Sequence, residues 1–232
     1  DMTRAVQAAF GVQSRWLDAT TLAVPGGQQY RPCGYTVEGD YSQAAFPAVL
    51  GAVCGGVTIT GLASDTLQGD AVILDILRRC GAVFTRTGDR ITFEKAPLRG
   101  VDIDLADCPD LGPVLMVLGL LCKGTTVIRN AGRLRLKESD RIAAMEAELR
   151  AVGGIVESEG GTITVQGCAD RLHYPAAPLC GHNDHRVVMS LAVLALATGL
   201  SFTVDGAEAV QKSWPNFFEA IRPLGAEVEY AG

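Results

Sequence analysis

The chain has 232 residues, is 48% hydrophobic and carries a net charge of -6 with a pI near 5.1. That is enough chain for a sizeable core in one or two domains, and its acidic balance speaks against nucleic acid as a partner. Seven scattered cysteines without a C-x-x-C pair read as free thiols of a reducing cytoplasm, and no apolar run is long and uninterrupted enough to span a bilayer.

The chain opens on Asp1-Met2-Thr3-Arg4, with no signal peptide, and reads like the middle of something longer. A helix is expected over 3–10, with strand-like pieces at 14–17 and 21–24. A fuller pattern follows. Strand 34–38, helix 42–54, strand 56–60, helix 69–80 and strands 82–87 and 90–94 make one unit. Strand 101–105, helix 111–122, strand 125–129, helix 138–152 and strands 155–158 and 162–165 repeat it. Helix 184–198, strand 201–204, helix 214–224 and strand 227–230 follow as a third. Gly81, Gly153 and Gly225 each close the second helix of a unit and recur at a spacing of about 72 residues, with Gly11 as a degenerate earlier copy.

The two helices of a unit differ. Those at 111–122 and 184–198 are apolar on nearly every face, so they belong inside; the second helix of each unit has one apolar stripe and belongs outside. The expected fold is α/β: βαβαββ units in a three-fold pseudo-symmetric domain, with buried parallel helices surrounded by sheets and outer helices. Residues 1–38 are the expected remnant of a preceding domain and 39–232 the three-unit domain.

Polar residues gather where the helices begin. Asp40, Asp110 and Asp184 precede the three buried helices as natural N-caps, and Pro113 suits a first turn. Capping suffices to explain Asp40. Asp110, at the mouth of a wholly apolar helix, is expected to be partly desolvated, which is how a general acid or base is tuned. Arg186 opposes the helix dipole at its helix start, and an anion shared with the backbone amides is a reason to hold it there. His185 by itself reads as a satisfied histidine, Lys212 as a surface lysine and Ser213 as the cap of the last outer helix.

The densest charge lies in Arg133-Leu134-Arg135-Leu136-Lys137-Glu138-Ser139-Asp140-Arg141. It runs into a helix whose apolar stripe is Ile142, Met145, Leu149 and Val152. Glu138 and Arg141 fall on the stripe's side, where a core ends and a cleft begins. Two readings stay open: an anion site flanked by Lys137 and Arg141, or an ion cluster tying two elements together. Four cations, Lys137, Arg141, Arg186 and Lys212, together with Asp110 and Glu138 suggest a multiply anionic substrate and acid/base chemistry. No phosphate-binding G-x-x-x-x-G-K-[ST] loop and no metal-ligand spacing is present.

The segments Leu136-Lys137-Glu138-Ser139-Asp140-Arg141, Asn183-Asp184-His185-Arg186, Val37-Glu38-Gly39-Asp40 and Lys212-Ser213-Trp214-Pro215 resemble, in order, the motifs of the 3-phosphoshikimate 1-carboxyvinyltransferase (EPSP synthase) family. The resemblance covers essentially the whole chain and implies six βαβαββ units in two domains. It also implies transfer of the enolpyruvyl group of phosphoenolpyruvate to the 5-hydroxyl of shikimate 3-phosphate, by addition and elimination, without metal or cofactor. Asp110 then matches the residue that handles the substrate hydroxyl proton and touches the shikimate ring. Glu138 matches the residue that moves the methylene proton. Lys137 matches a contact of the shikimate phosphate, and Arg141, Arg186 and Lys212 match phosphoenolpyruvate contacts; Asp184 and His185 stand behind them.

Two departures accompany the resemblance. Arg133 stands where the family has an asparagine, and the half of the family that supplies an N-terminal lysine, a glycine-rich segment and a Ser-Ser-Gln stretch is not in this sequence. The expectation is a cytoplasmic enzyme's C-terminal domain, hinged near Val37–Asp40, holding half a site and inactive without its N-terminal partner domain. The competing expectations are a non-catalytic anion-binding or assembly module and an enolpyruvyl transferase for another substrate.

Overall fold

A computed structural model describes residues 1–230. The first 40 residues lie apart from the core: α1 (Met2–Ala9) buries none of its residues, and a small antiparallel pair, β1 (Arg15–Trp16) with β2 (Leu22–Ala23), follows it. The sequence expects a strand at 34–38, but among the described residues this stretch pairs with no strand. The chain is anchored just after it. Gly39 N–H donates to the Gly61 carbonyl, and the Gln68 side chain accepts from Tyr41 N–H and donates to the Gly39 carbonyl.

The first unit then contains α2 (Tyr41–Cys54), β3 (Thr58–Ile59), α3 (Ile73–Cys80), β4 (Val83–Thr87) and β5 (Arg90–Glu94). The helix expected from residue 69 starts as a 3-10 turn over Gly69–Val72. The second unit contains β6 (Asp102–Asp104), α4 (Gly112–Leu121), β7 (Thr125–Arg129), α5 (Arg141–Ala151), β8 (Ile155–Glu159) and β9 (Thr162–Gln166). The third contains β10 (Leu179–Cys180), α6 (His185–Thr198), β11 (Val204–Asp205) and α7 (Phe217–Ile221).

Topology supports the repeat. The second unit's sheet runs β6-β7-β9-β8, with β6 and β7 parallel and the rest antiparallel; the first unit's sheet, β3-β5-β4, is the same order without its first strand. In the third unit β10 and β11 pair in parallel as β6 and β7 do. The sequence did not single out β10, two residues long. The strand expected at 227–230 does not form; the Val228 carbonyl accepts from the Arg222 guanidinium instead. Gly81, Gly153 and Gly225, with φ of 99°, 86° and 98°, end their units' outer helical segments in the left-handed conformation that the repeat requires.

The three apolar helices α2, α4 and α6 pack on one another, and almost every side chain of α4 is fully buried. Gly119 lets α4 lie against its sheet: a Cβ there would stand 2.9 Å from Val165. Among the described residues no helix is long and apolar enough to cross a membrane.

Candidate active site

The helix starts position the site. Asp40 and Asp184 cap α2 and α6 as expected, accepting from Ser42 N–H at 2.8 Å and Arg186 N–H at 2.9 Å. Asp110 does not cap. It sits in a 3-10 turn, Pro109–Leu111, that leads into α4, and its carboxylate turns toward three cations. Ser213 does not cap either: α7 begins later, at Phe217, and the Ser213 hydroxyl is buried without a hydrogen-bond partner among the described residues.

The helix expected over 138–152 starts at Arg141, because Asp140 accepts from Ala143 N–H at 3.0 Å and fixes the start there. Ala131–Leu136 is a 3-10 segment before it. Glu138 and Ser139 therefore lie in the connecting loop, and Glu138 is exposed where the helical spacing placed it beside the core. Arg141 does face inward, with a side chain 1% exposed.

Arg141 spends its guanidinium on three carboxylates. Nε donates to Asp184 at 2.8 Å, Nη1 to Asp110 at 2.8 Å and Nη2 to Glu138 at 2.5 Å. Asp184 is completely buried and also accepts from the Ser139 hydroxyl at 3.1 Å. Burial pushes the Asp184 carboxyl up, but the bond and charge of Arg141 override it and hold it below the usual carboxylate range. Without a bound anion, Arg141 thus makes the contacts that the ion-cluster reading of the charged run expects.

Asp110 gathers the cations. Besides Arg141 it pairs with Lys137 at 3.1 Å and with Arg186 at 3.3 Å. Its side chain keeps 32% of its exposure, so the cluster ends at the surface. The sequence expects Asp110 to be partly desolvated, which acts to raise its pKa. Burial does act in that direction, but Arg186, Lys137 and Arg141 together hold the carboxyl below its usual range. The carboxyl that is raised belongs to Asp70, in the 3-10 turn before α3. Burial, and then the negative charge of Asp110, push it up to about 6 against the opposing pull of Arg186.

Arg186 is held by the chain itself. From the start of α6 it donates to the Ser42 hydroxyl at 3.0 Å and the Asp110 carbonyl at 3.3 Å, so it joins the mouths of all three core helices. The anion that justifies a cation at this helix start is Asp110. His185 is buried, and its Nδ1 has no partner among the described residues, so it is not the satisfied histidine expected. Burial, and then the Arg186 cation, lower its pKa, which keeps the ring neutral near neutral pH.

Lys212 is not a free surface lysine. Its Nζ donates to the Asn183 carbonyl at 2.5 Å and to Asn183 Oδ1 at 2.8 Å. Asn183 belongs to a tight turn from Gly181 to Asp184, closed by Asp184 N–H to the Gly181 carbonyl at 2.9 Å. His182 and Asn183 have φ of 51° and 52°, the both-positive pattern of a type I′ turn. Without glycine, such a turn costs on the order of 1 kcal/mol or more per residue. Arg133, exposed, reaches the Ala106 carbonyl at 3.3 Å.

All six charged residues singled out from the sequence thus meet at one end of the core. Lys137, Arg141 and Arg186 converge on Asp110, Glu138 lies on Arg141, and Lys212 binds the residue next to Asp184. Sequence reasoning missed Asp70, which looked like an ordinary helix start, and Ser42, whose hydroxyl carries no pattern. It also missed Glu148, although its spacing of seven from Arg141 puts both on one face of α5.

The family model for EPSP synthase (3-phosphoshikimate 1-carboxyvinyltransferase) matches residues 1–221. A 3-phosphoshikimate 1-carboxyvinyltransferase of Clostridium kluyveri is 36% identical over 229 residues, covering 99% of this chain and 53% of that protein. The one from Clostridium acetobutylicum is 38% identical over 229 residues, 98% of this chain and 52% of its own length. A solved structure of EPSP synthase from Acinetobacter baumannii superposes with a TM-score of 0.80 at 27% identity, over 96% of this chain and 54% of the other. The chain spans about half the length of the curated relatives it matches.

Proposed function

We propose, for a chain that belongs to the EPSP synthase family, that it supplies one half of an active site joining phosphoenolpyruvate to shikimate 3-phosphate, the other half coming from an N-terminal domain of the same enzyme. Residues 39–232 would be the C-terminal domain and residues 1–38 the end of its partner. The observation that carries this is the convergence of Lys137, Arg141 and Arg186 on the half-exposed Asp110, with Glu138 at the rim. Pure ion pairing explains the buried Arg141–Asp184 contact; it does not require a second and third cation on a carboxylate left open to solvent. Two open concavities lie away from this cluster, at the β8–β9 edge around Glu157 and Thr164 and beside α1 around Val6 and Leu67. A face of this kind needs a second surface to exclude water.

In this reading the substrate 5-hydroxyl gives its proton to Asp110 as its oxygen bonds to C2 of phosphoenolpyruvate. Glu138, protonated once a substrate anion has taken its place on Arg141, delivers that proton to the methylene carbon. In the elimination Glu138 takes a proton back from that carbon, the C2–O bond to phosphate breaks, and phosphate leaves with the hydroxyl proton that Asp110 had held, so that both carboxyls return to their starting states. Arg141, Arg186 and Lys212 bind the carboxylate and phosphate of phosphoenolpyruvate, and Lys137 binds the phosphate of the second substrate. Substrate anions compete with Asp110 for its cations. As they draw Arg186 and Lys137 away, the Asp110 carboxylate loses what holds its pKa down and becomes a stronger base only when substrate is present.

The test is phosphate release from phosphoenolpyruvate and shikimate 3-phosphate. Expected is no release by this chain alone and release when it is combined with a separately made N-terminal half. Turnover by the chain alone overturns the half-site account. No turnover in a folded, associated mixture overturns the activity, and turnover restored only by a different acceptor alcohol moves the assignment to another enolpyruvyl transferase.

A further inference from the structure

The motif around Asn183 is held from behind by residues that the proposed chemistry does not use. Glu148 lies on α5 two turns beyond Arg141 and is buried. One of its oxygens accepts from Cys180 N–H at 3.0 Å, and the other shares a hydrogen bond of 2.7 Å with His182 Nε2. Those partners stand just before and within the strained turn that ends at Asp184. The far side of the same turn is held by Lys212 on Asn183.

We infer that Glu148 is a positioning residue for Lys212: through Cys180 and His182 it keeps the His182-Asn183 turn in its left-handed conformation, and that turn aims the Asn183 carbonyl and Oδ1 at the Lys212 ammonium. The inner face of α5 thereby grips both ends of one loop, Arg141 holding Asp184 and Glu148 holding residues 180 to 182. A helix is stiff over two turns, so the two grips are set in fixed relation. The turn needs such a grip. Neither His182 nor Asn183 is a glycine; asparagine and histidine take positive φ more readily than other side chains do, but two in succession still cost more than glycine would, and the grip offsets that cost. Released, the turn would swing the two oxygens off Lys212, and Lys212 would lose its fixed place relative to Arg186 on the next helix start. The inference rests on the proposal that Lys212 binds phosphoenolpyruvate.

The test uses an active preparation, this chain combined with the half of the family's length it does not span. Absence of turnover in the unsubstituted preparation would sink the functional proposal and is seen before any variant is made. Given turnover, Glu148→Ala is expected to raise the KM for phosphoenolpyruvate by about tenfold. The KM for shikimate 3-phosphate should stay within about twofold, because Lys137 and Asp110 are held independently. Glu148→Gln should recover most of the loss, since an amide oxygen accepts from Cys180 N–H while its NH2 donates to His182 Nε2. His182→Ala, on a surface loop, serves if Glu148→Ala does not fold, and should raise the same KM. Pairing Glu148→Ala with His182→Gly should lower that KM again, because glycine takes the turn without strain. Unchanged KM for phosphoenolpyruvate in folded Glu148→Ala or His182→Ala overturns the inference. So does a rise of both KM values together, which is what general loosening of the domain would give.

Discussion

Removing the Arg141 guanidinium leaves Asp184, fully buried, without its ion-pair partner, whereas removing the charge of Glu138 takes away a carboxylate that water already reaches and leaves Arg141 its two aspartates. The two residues touch, yet they carry different loads. Arg141→Met is expected to cost about 3–5 kcal/mol, read as a lower urea midpoint, because the remaining partner is a desolvated charge. Glu138→Gln should cost about 1 kcal/mol or less, since its side chain is 42% exposed. In an active preparation the same change should lower turnover about 10²–10⁴-fold, the range for losing a general acid or base. A large stability loss with ordinary turnover in Glu138→Gln would return Glu138 to the ion cluster. Asp70 gives a pH test. Its folded carboxyl holds the proton up to about 6 against an ordinary 3.8, so the stability it contributes is complete below 3.8 and is lost as pH rises to about 6. Asp70→Asn should therefore raise the melting temperature above that window and leave it unchanged below. Equal gains at both ends would mean that packing, and not ionisation, was altered.

The elements are set by patterns that survive compression into short stretches. Helices α2 and α4 are apolar all round and are buried all round, and β5, β7, β8 and β9 alternate as strands with one covered face should. Boundaries moved where a side chain overrode the pattern. Asp140 starts α5 three residues later than the apolar stripe implies, which puts Glu138 on a loop and at the rim. The stretches at 34–38 and 227–230 have strand-like composition but no partner strand among the described residues, and a strand exists only in pairing. Close approach of helix and sheet is decided at single glycines. Gly119→Ala would place a Cβ 2.9 Å from the β-branched Val165 and 3.2 Å from Thr126, neither of which can swing aside. Overpacking of about 1–3 kcal/mol should outweigh the roughly 1 kcal/mol of added helix propensity, so the variant should melt lower; a higher melting temperature would show that α4 can back away from its sheet.

At the scale of the whole molecule, the three units bring three helix starts to one end of the core, and Arg186 is the side chain that touches all of them. There three cations, Lys137, Arg141 and Arg186, meet three carboxylates, Asp110, Glu138 and Asp184, so the cluster is close to neutral without substrate. Its charges are already paired, and an arriving anion has to exchange partners with Asp110 and Glu138. A cluster already paired in this way would hold an anion weakly, which is the physical reason behind the proposal that phosphate release needs a second domain's contacts.

The amino-acid sequence by itself determined the repeat, the apolar helices and the charged motifs at their starts, because each depends on neighbours within a few turns and on period. It also placed Lys137, Arg141, Arg186, Lys212, Asp110 and Glu138 in one group. The tertiary structure alone decided what those charges do to one another. That Arg141 is buried between carboxylates, that Asp110 is held ionised while Asp70 is pushed toward the neutral form, and that Glu148 reaches the turn at His182 all depend on distances between residues far apart in the chain. Electrostatic interaction falls off over a few ångströms and changes sign with the partner, and no local spacing encodes which partner a folded chain brings near.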